Sequence, residues 1–239
     1  MALENKVLVV AAHPDDEVLG CGGTIARLAS EGRAVHVLLL ADGEKSRAAA
    51  DGSGVAAGAV AARKAAAEKA CRILGCESVE SLSMPDNRMD GLVLLDVVKE
   101  IEARIVRHAP TTLLTHHGSD VNVDHRIVSQ AVIVACRPVP NHSVRELLFF
   151  EVPSSTEWCP PRSADNFAPN YFVDVSATLD RKINALKAYA SEVRDFPHPR
   201  SCLAIEALAR WRGATVGVAA AEAFVVGRKI VKIESSTLS

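Results

Sequence analysis

Two residues near the N-terminus, His13 and Asp16, have the types and the spacing of ligands to a single metal ion. They lie in the run AHPDDE at positions 12–17, directly after a short apolar stretch. Imidazole and carboxylate groups bind catalytic zinc, which usually takes three protein ligands and leaves a position open for water. Asp15 lies between the two ligands on a tight turn and would point elsewhere, where it could act on the water as a general base.

The third ligand should come from another segment, and the best candidate is His125 in the run DVNVDH at 120–125. This run follows a predicted strand and begins a predicted helix. Asp124, beside the histidine, is suited to orienting a histidine ligand from behind, which would make it part of the catalytic machinery. The alternative is that the acidic run at 15–17 merely caps a helix, because carboxylates favour helix N-termini. The second His/Asp cluster favours the metal site.

Three glycines after the acidic run suggest a dinucleotide-binding loop, but the pattern is incomplete. They are Gly20, Gly22 and Gly23, and the sixth position of G-x-G-x-x-G is Ile25. The acidic run would also repel a pyrophosphate. We therefore expect the glycines to let a helix approach the sheet closely.

Strands alternate with helices over most of the chain, which predicts an α/β fold with a mostly parallel sheet and helices on both faces. The predicted strands are Val7–Ala12, Val35–Ala41, Val79–Leu82, Thr111–Thr115 and Leu147–Val152. The predicted helices are Thr24–Glu31, one that follows a loop at 47–62 and ends at Leu74, Val93–His108 and 125–136. Ligands of such sheets bind beyond the carboxyl ends of the strands. The polar residues just past those ends should therefore share one rim: His13, Asp42, Asp86 and His116.

The regular alternation of predicted strands and helices stops at about Pro153, where a loop-rich stretch begins. The predicted elements beyond it are an edge strand at Phe172–Val175, helices at Asp180–Arg194 and Cys202–Trp211, and a helix turn and strand over 221–233. No linker or repeat separates this part from the rest. We predict one domain over 1–239, with an α/β core at 1–152 and a dependent cap over the site at 153–239.

Composition and charge exclude several classes of partner. The 239-residue chain is 49% apolar and 23% charged, and its net charge is −2. It therefore offers no basic surface for nucleic acid and no polybasic patch for lipid. The N-terminus lacks the features of a signal peptide, and the run Val7–Ala12 is far shorter than the roughly 20 residues that span a bilayer. We predict a cytoplasmic protein without membrane insertion.

The run AAHPDDEVLGCGG at 11–23, with DH at 124–125, resembles the LmbE/PIG-L family of zinc-dependent de-N-acetylases. Members act on N-acetylglucosaminyl-inositols, on glucosaminyl-malate precursors of bacterial thiols and on acetylated antibiotic sugars. The resemblance implies a Rossmann-like three-layer sandwich, possible homo-oligomers and removal of acetate from an N-acetyl amino sugar or N-acetylglucosaminyl conjugate. It also implies one Zn²⁺ per chain, with Asp15 as general base. The implied zinc ligands are His13, Asp16 and His125.

The second motif departs from the family pattern at one position. Many members have HPDH there, and its first histidine helps to stabilise the oxyanion, whereas this chain has NVDH at 122–125. Asn122 could donate a hydrogen bond but carries no charge. The other candidates for this role are His116, His117 and His198.

Substrate contacts are expected around the rim. Family members often have an arginine at the position of Arg63 and an aspartate at that of Asp86, and both contact sugar hydroxyls. The alternatives are a solvated helix charge and an ordinary turn aspartate. His198 and Arg200, between two predicted helices, suit a contact to an anionic group, or they form a simple connecting turn. Trp158 could stack against a sugar or be a buried apolar contact.

Two other functions remain open from the sequence. A zinc amidase that cleaves a different amide, such as a thiol conjugate, would keep the same metal site. A non-catalytic nucleotide-binding module of Rossmann type would not need it. The incomplete glycine pattern argues against the second of these.

Overall fold

The computed structural model describes residues 6–43, 58–160 and 166–231. These residues form a seven-stranded sheet with the order β3-β2-β1-β4-β5-β7-β6. The strands are β1 Val7–Ala11, β2 Val35–Ala41, β3 Ser78–Met84, β4 Thr112–His116, β5 Glu146–Phe150, β6 Tyr171–Asp174 and β7 Ala221–Lys229. The first five pair in parallel, and β7 is antiparallel to both of its neighbours. The predicted α/β fold with a mostly parallel sheet is confirmed.

Six α-helices and a short 3-10 turn at Met89–Gly91 connect the described strands. The helices are α1 Asp16–Ser30, α2 Ala59–Leu74, α3 Leu94–His108, α4 Val123–Ala135, α5 Leu179–Leu186 and α6 Cys202–Ala214. No helix in the described ranges is long and apolar enough to cross a bilayer.

The central strand β1 is buried on both faces, because its alternate side chains enter two separate hydrophobic cores. Val7, Val9 and Ala11 pack with residues of α1, α2 and α5. Leu8 and Val10 pack with residues of α3 and α4 on the opposite side. The helices therefore cover both sides of the sheet, as an uninterrupted apolar strand requires.

Helix α1 begins at Asp16, earlier than the sequence predicts, and its three glycines flank a kink at Cys21, whose φ of −148° and ψ of 23° are not helical. A Cβ at Gly20 would overlap the ring of Phe150, and one at Gly23 would lie 2.9 Å from Val175. The expected close approach of the helix to the sheet is confirmed. This packing holds the first turn of α1 at the carboxyl end of β1.

The residues after 152, for which the sequence predicts a cap over the site, contribute two strands to the sheet. Strand β6 is the expected edge strand, and β7 lies between it and β5. Glu222 of β7 accepts the backbone amides of Gly23 and Thr24 at 2.9 and 2.7 Å and pairs with Lys182 at 2.5 Å. This buried ion pair fastens β7 and α5 to α1.

Two predicted elements of this region differ from the structure. The helix predicted over Asp180–Arg194 ends at Leu186, because the amide of Tyr189 bonds three residues back and turns the chain. The helix turn predicted at the start of 221–233 is wrong, since strand β7 begins at Ala221 and pairs with both neighbours. The last residues of that range, and residues 47–57 of the loop predicted at 47–62, lie outside the described residues. Helix α2 already begins at Ala59, within the predicted loop.

Candidate metal centre

The three predicted ligands converge at the carboxyl ends of β1 and β4. His13 and Asp16 follow β1 directly, and His125 lies in the first turn of α4. Asp16 Oδ2 is 3.3 Å from His13 Nδ1 and 3.2 Å from His125 Nε2. The amide of His13 also donates to Asp16 Oδ2 at 2.9 Å, which fixes the carboxylate on the turn. All three side chains are buried.

Each imidazole is held from behind by carboxylates. His13 Nε2 lies 2.9 Å from Asp124 Oδ2 and 3.3 Å from Asp86 Oδ1. His125 Nδ1 lies 3.1 Å from Asp120 Oδ2. Histidine ligands of metals usually donate their other ring N–H to a carboxylate, which fixes the tautomer. This arrangement leaves His13 Nδ1 and His125 Nε2, the two nitrogens beside the Asp16 carboxylate, as the ring atoms that would bind a metal ion.

This donor set fits a catalytic metal ion, because two imidazoles and one carboxylate have ligand atoms within 4.8 Å of one another. His13, Asp86 and Asp124 form a second group whose ligand atoms lie equally close together. In that group, however, the Asp124 oxygens accept the amides of Asn87 and Met89 at 2.6 and 2.9 Å. The second group is therefore better understood as the support of the His13 ring.

Asp120 is a supporting residue whose role the sequence did not indicate. The sequence favoured Asp124 as the carboxylate behind a histidine, and Asp124 contacts His13 and not its neighbour His125. Asp120 accepts hydrogen bonds from the Ser155 hydroxyl and from the Thr156 hydroxyl, the latter at 2.8 Å. The sequence does place Asp120 five residues before His125. It does not show that the loop at 117–122 folds back and brings this carboxylate to the His125 ring.

Asp15 and Asp16 have opposite electrostatic surroundings. Burial raises the pKa of Asp15 to about 7, and the charge of Asp16 adds to this effect against the opposing charges of Arg200 and Arg63. Burial alone would also raise the pKa of Asp16, but His125 holds it well below its ordinary range. Asp15 is therefore suited to exchanging a proton, and Asp16 to staying charged.

A chain of ion pairs lies behind Asp15. Arg200 Nη1 is 3.4 Å from Asp15 Oδ2 and 3.3 Å from Glu192 Oε2, and its Nε donates to the Ser154 hydroxyl at 2.6 Å. Arg63 Nη1 is 3.0 Å from the other oxygen of Glu192. The Arg63 side chain is only 4% exposed, so it lies behind the base and not on an open rim. Glu192 lay within a predicted helix, where nothing distinguished it from a solvated charge.

The geometry does not support an oxyanion role for two of the candidates. His116 is fully buried, stacks on His125 with ring centroids 4.0 Å apart, and accepts the amide of Ala12 at its Nε2 at 2.9 Å. That nitrogen has no proton to donate. The side-chain oxygen of Asn122 accepts the amide of Asp124 at 2.8 Å, as the N-cap of α4, and its Nδ2 donates to Asn87 Oδ1 at 3.1 Å. Both residues are thus engaged in holding the scaffold.

The other candidates lie farther out. His117 packs edge-to-face against Phe167, with centroids 5.3 Å apart. Trp158 is 54% exposed, so the alternative of a buried apolar contact is excluded, and its ring meets His198 edge-on at 6.4 Å. His198 Nδ1 accepts the amide of Arg200 at 3.0 Å. Trp158 and His198 are therefore connected to the base through Arg200.

Comparisons with known proteins find relatives that are named as deacetylases. The family model described as PIG-L, GlcNAc-PI de-N-acetylase, matches residues 8–136. The protein named uncharacterized deacetylase YaiS, from Escherichia coli strain K12, is 31% identical over 180 residues, which are 73% of this chain and 89% of that protein. The diacetylchitobiose deacetylase of Thermococcus kodakarensis is 32% identical over 197 residues, covering 78% of this chain and 70% of that protein.

One similar solved structure has a different activity in its name. The 4-carboxy-2-hydroxymuconate hydratase GalB of Pseudomonas putida KT2440 aligns with a TM-score of 0.74 and 26% identity. The alignment covers 95% of this chain and 98% of that one. The fold and the sequence resemblance are therefore shared with both deacetylases and a hydratase.

Proposed function

The chain belongs to the PIG-L family of de-N-acetylases, and from that membership we propose that it is a metal-dependent deacetylase of N-acetylated amino-sugar conjugates. The observation that carries the proposal is the convergence of His13 Nδ1, Asp16 Oδ2 and His125 Nε2 beside the buried carboxyl group of Asp15. The products are acetate and a free amino sugar.

The ion that fits this donor set best is zinc, held by His13, Asp16 and His125 with one ion per chain. When bound, it supplies a Lewis acid that polarises the acetamide carbonyl and acidifies water. Asp120 and Asp124 keep the two imidazoles in the tautomers that can bind it.

Asp15 performs the proton transfers of the reaction. Its carboxylate accepts the proton of the attacking water, and the resulting carboxylic acid delivers that proton to the departing amine nitrogen. A group whose pKa is raised to about 7 can serve in both directions near neutral pH. Arg200, 3.4 Å away and 27% exposed at its side chain, is positioned to stabilise negative charge that develops beside Asp15.

The sugar binds on the side of the exposed indole. Trp158 offers an apolar face on which a pyranose ring stacks, and His198 and Arg200 are the polar groups next to it. Asp86 contacts the ring of His13 at 3.3 Å, so a sugar hydroxyl that reaches Asp86 would also be close to the metal ligands.

The decisive experiment is a panel of substrates given to zinc-loaded protein, with acetate and free amine measured together. The panel contains diacetylchitobiose, an N-acetylglucosaminyl-inositol, N-acetylglucosaminyl-malate and an N-acyl thiol conjugate. We expect equal amounts of acetate and amine from at least one N-acetyl sugar, and metal analysis should give about one zinc per chain. If acetate and amine are released only from the thiol conjugate, the substrate is a different amide and not an N-acetyl sugar.

Hydration of an unsaturated carboxylate is a second candidate, and the likeness to GalB is the observation that favours it. Addition of water to a carbon–carbon double bond also needs an activated water and a base. The same protein should therefore be tested with 4-carboxy-2-hydroxymuconate, whose hydration is followed by loss of ultraviolet absorbance. Hydration without acetate release from any sugar would overturn the deacetylase proposal.

A further inference from the structure

The main chain of Asp15 has a conformation that residues other than glycine rarely adopt, with φ 115° and ψ −27°. This turn separates the two adjacent carboxylates, so that Asp15 faces Arg200 while Asp16 faces His125. Such a conformation persists only where the surrounding contacts impose it. The contacts that hold the Asp15 backbone therefore decide where its carboxylate points.

One of these contacts comes from Glu17, a fully buried acid that the proposed reaction does not use. The amide of Asp15 donates to Glu17 Oε2 at 3.0 Å, and the hydroxyl of Tyr189 donates to Glu17 Oε1 at 2.6 Å. The Glu17 carboxylate thus accepts one hydrogen bond from the main chain of the base and one from the turn after α5. Because burying a carboxylate costs free energy, each oxygen needs its donor, and the Tyr189 hydroxyl supplies one of the two.

Tyr189 is itself rigidly placed. Its ring is 1% exposed and packs in the core that contains residues of α1 and α2. Its carbonyl oxygen accepts the amides of Glu192 and Val193 at 2.8 and 3.2 Å, which fixes the turn after α5. The hydroxyl therefore reaches Glu17 from a tightly packed position.

We propose that Glu17 and Tyr189 form a positioning pair that holds the Asp15 main chain in its left-handed conformation and so aims the Asp15 carboxylate at the reacting water. The proposal rests on the assignment of Asp15 as the general base. Neither residue touches substrate, and both act through the base. A misdirected base slows the chemical step without weakening substrate or metal binding.

The first test is Tyr189→Phe, which removes only the hydroxyl, with Tyr171→Phe on strand β6 as the matched control. These are the only two tyrosines of the chain. We expect kcat of Tyr189→Phe to fall on the order of tenfold, as for one lost hydrogen bond to a charged group, with KM and zinc content unchanged. Tyr171→Phe should keep the wild-type kcat. Wild-type kcat in Tyr189→Phe, or a loss that only follows a smaller folded fraction in thermal unfolding, overturns the proposal.

The second test uses two replacements of Glu17 of similar size. Glu17→Gln keeps an oxygen that accepts the Asp15 amide, whereas Glu17→Leu removes both acceptors. We expect Glu17→Gln to retain most of the kcat that Glu17→Leu loses, at equal zinc content. Equal losses in the two variants would mean that Glu17 does not act through the amide of Asp15.

A double-mutant cycle separates this inference from the proposed function. If Tyr189 acts through Asp15, then Tyr189→Phe should not lower the residual rate of Asp15→Asn any further. An additional loss equal to that in the wild-type background would overturn the positioning role and leave Asp15 as the base. Wild-type turnover in Asp15→Asn alone would instead overturn the proposed mechanism.

Discussion

Asp15 and Asp16 are neighbours in the sequence, yet two different parts of the chain surround them. We call the ligands and the carboxylates behind them the metal half: His13, Asp16, Asp120, Asp124 and His125. We call the base and its supports the base half: Asp15, Glu17, Tyr189, Glu192 and Arg200. The metal half lies within the residues 8–136 that the family model matches, whereas three members of the base half come from 189–200. This division implies that metal binding and proton transfer rest on separate supports.

The largest expected effect tests this separation by replacing the two adjacent aspartates, Asp15 and Asp16, one at a time. Asp15→Asn removes the base while the ligand set stays intact, so we expect kcat to fall by about 10²–10⁴-fold with zinc still bound. Asp16→Asn removes a charged ligand, so we expect the zinc itself to be lost. Zinc content by atomic absorption and initial rates of acetate release measure the two effects. Loss of zinc in both variants would show that the two halves are one unit.

The metal half could be predicted from the sequence because its residues lie at short spacings next to recognisable strands. The run at 12–17 follows β1, and His125 follows the loop after β4, so a parallel sheet brings them to one rim. The role of Asp120 was missed because local spacing does not show which carboxylate a loop returns to a ring.

In the base half, Asp15 was predicted as the base and Arg200 as a contact to an anionic group, but the supports around them were not predicted, because most of their contacts join residues far apart in the sequence. Tyr189 and Glu192 lay in the predicted helix Asp180–Arg194, where they had the periodicity of ordinary core and surface positions. Their partners Glu17 and Arg63 are more than a hundred residues away. These pairs meet because the turn after α5 packs against α1 and α2. Sequence periodicity predicts helices and strands but not which of them pack together.

A smaller effect is expected inside the metal half, from the carboxylate behind His125. Asp120→Asn replaces the acceptor of the His125 Nδ1 proton, so we expect zinc affinity to fall about 10–100-fold. The kcat of the zinc-saturated variant should stay close to wild type, because the base half is unchanged. Asp96→Asn, at an exposed position on α3, is the control. Competition with a chelator measures the affinity, and unchanged affinity would exclude the orienting role of Asp120.

The smallest expected effect comes from two adjacent serines that contact different halves. The Ser155 hydroxyl donates to Asp120, and the Ser154 hydroxyl accepts from Arg200 Nε at 2.6 Å. Ser154→Ala loses one hydrogen bond to a charged partner, and Ser155→Ala loses its contacts with Asp120 and with His125 Nδ1, 3.4 Å away. Each variant should therefore change the property of its own half, kcat or zinc affinity, by roughly tenfold. We expect Ser155→Ala to weaken zinc binding at unchanged kcat, and Ser154→Ala to lower kcat at unchanged zinc binding.

The same two variants also limit how far the separation extends, because both serines lie beyond the matched residues 8–136. If Ser155→Ala weakens zinc binding as expected, the loop after β5 supports the metal half as well as the base half. The two halves would then share a backbone segment while remaining distinct in their side-chain contacts. If either variant changes zinc affinity and kcat together, the loop couples the two halves. The ligands and the base would then not be supported independently.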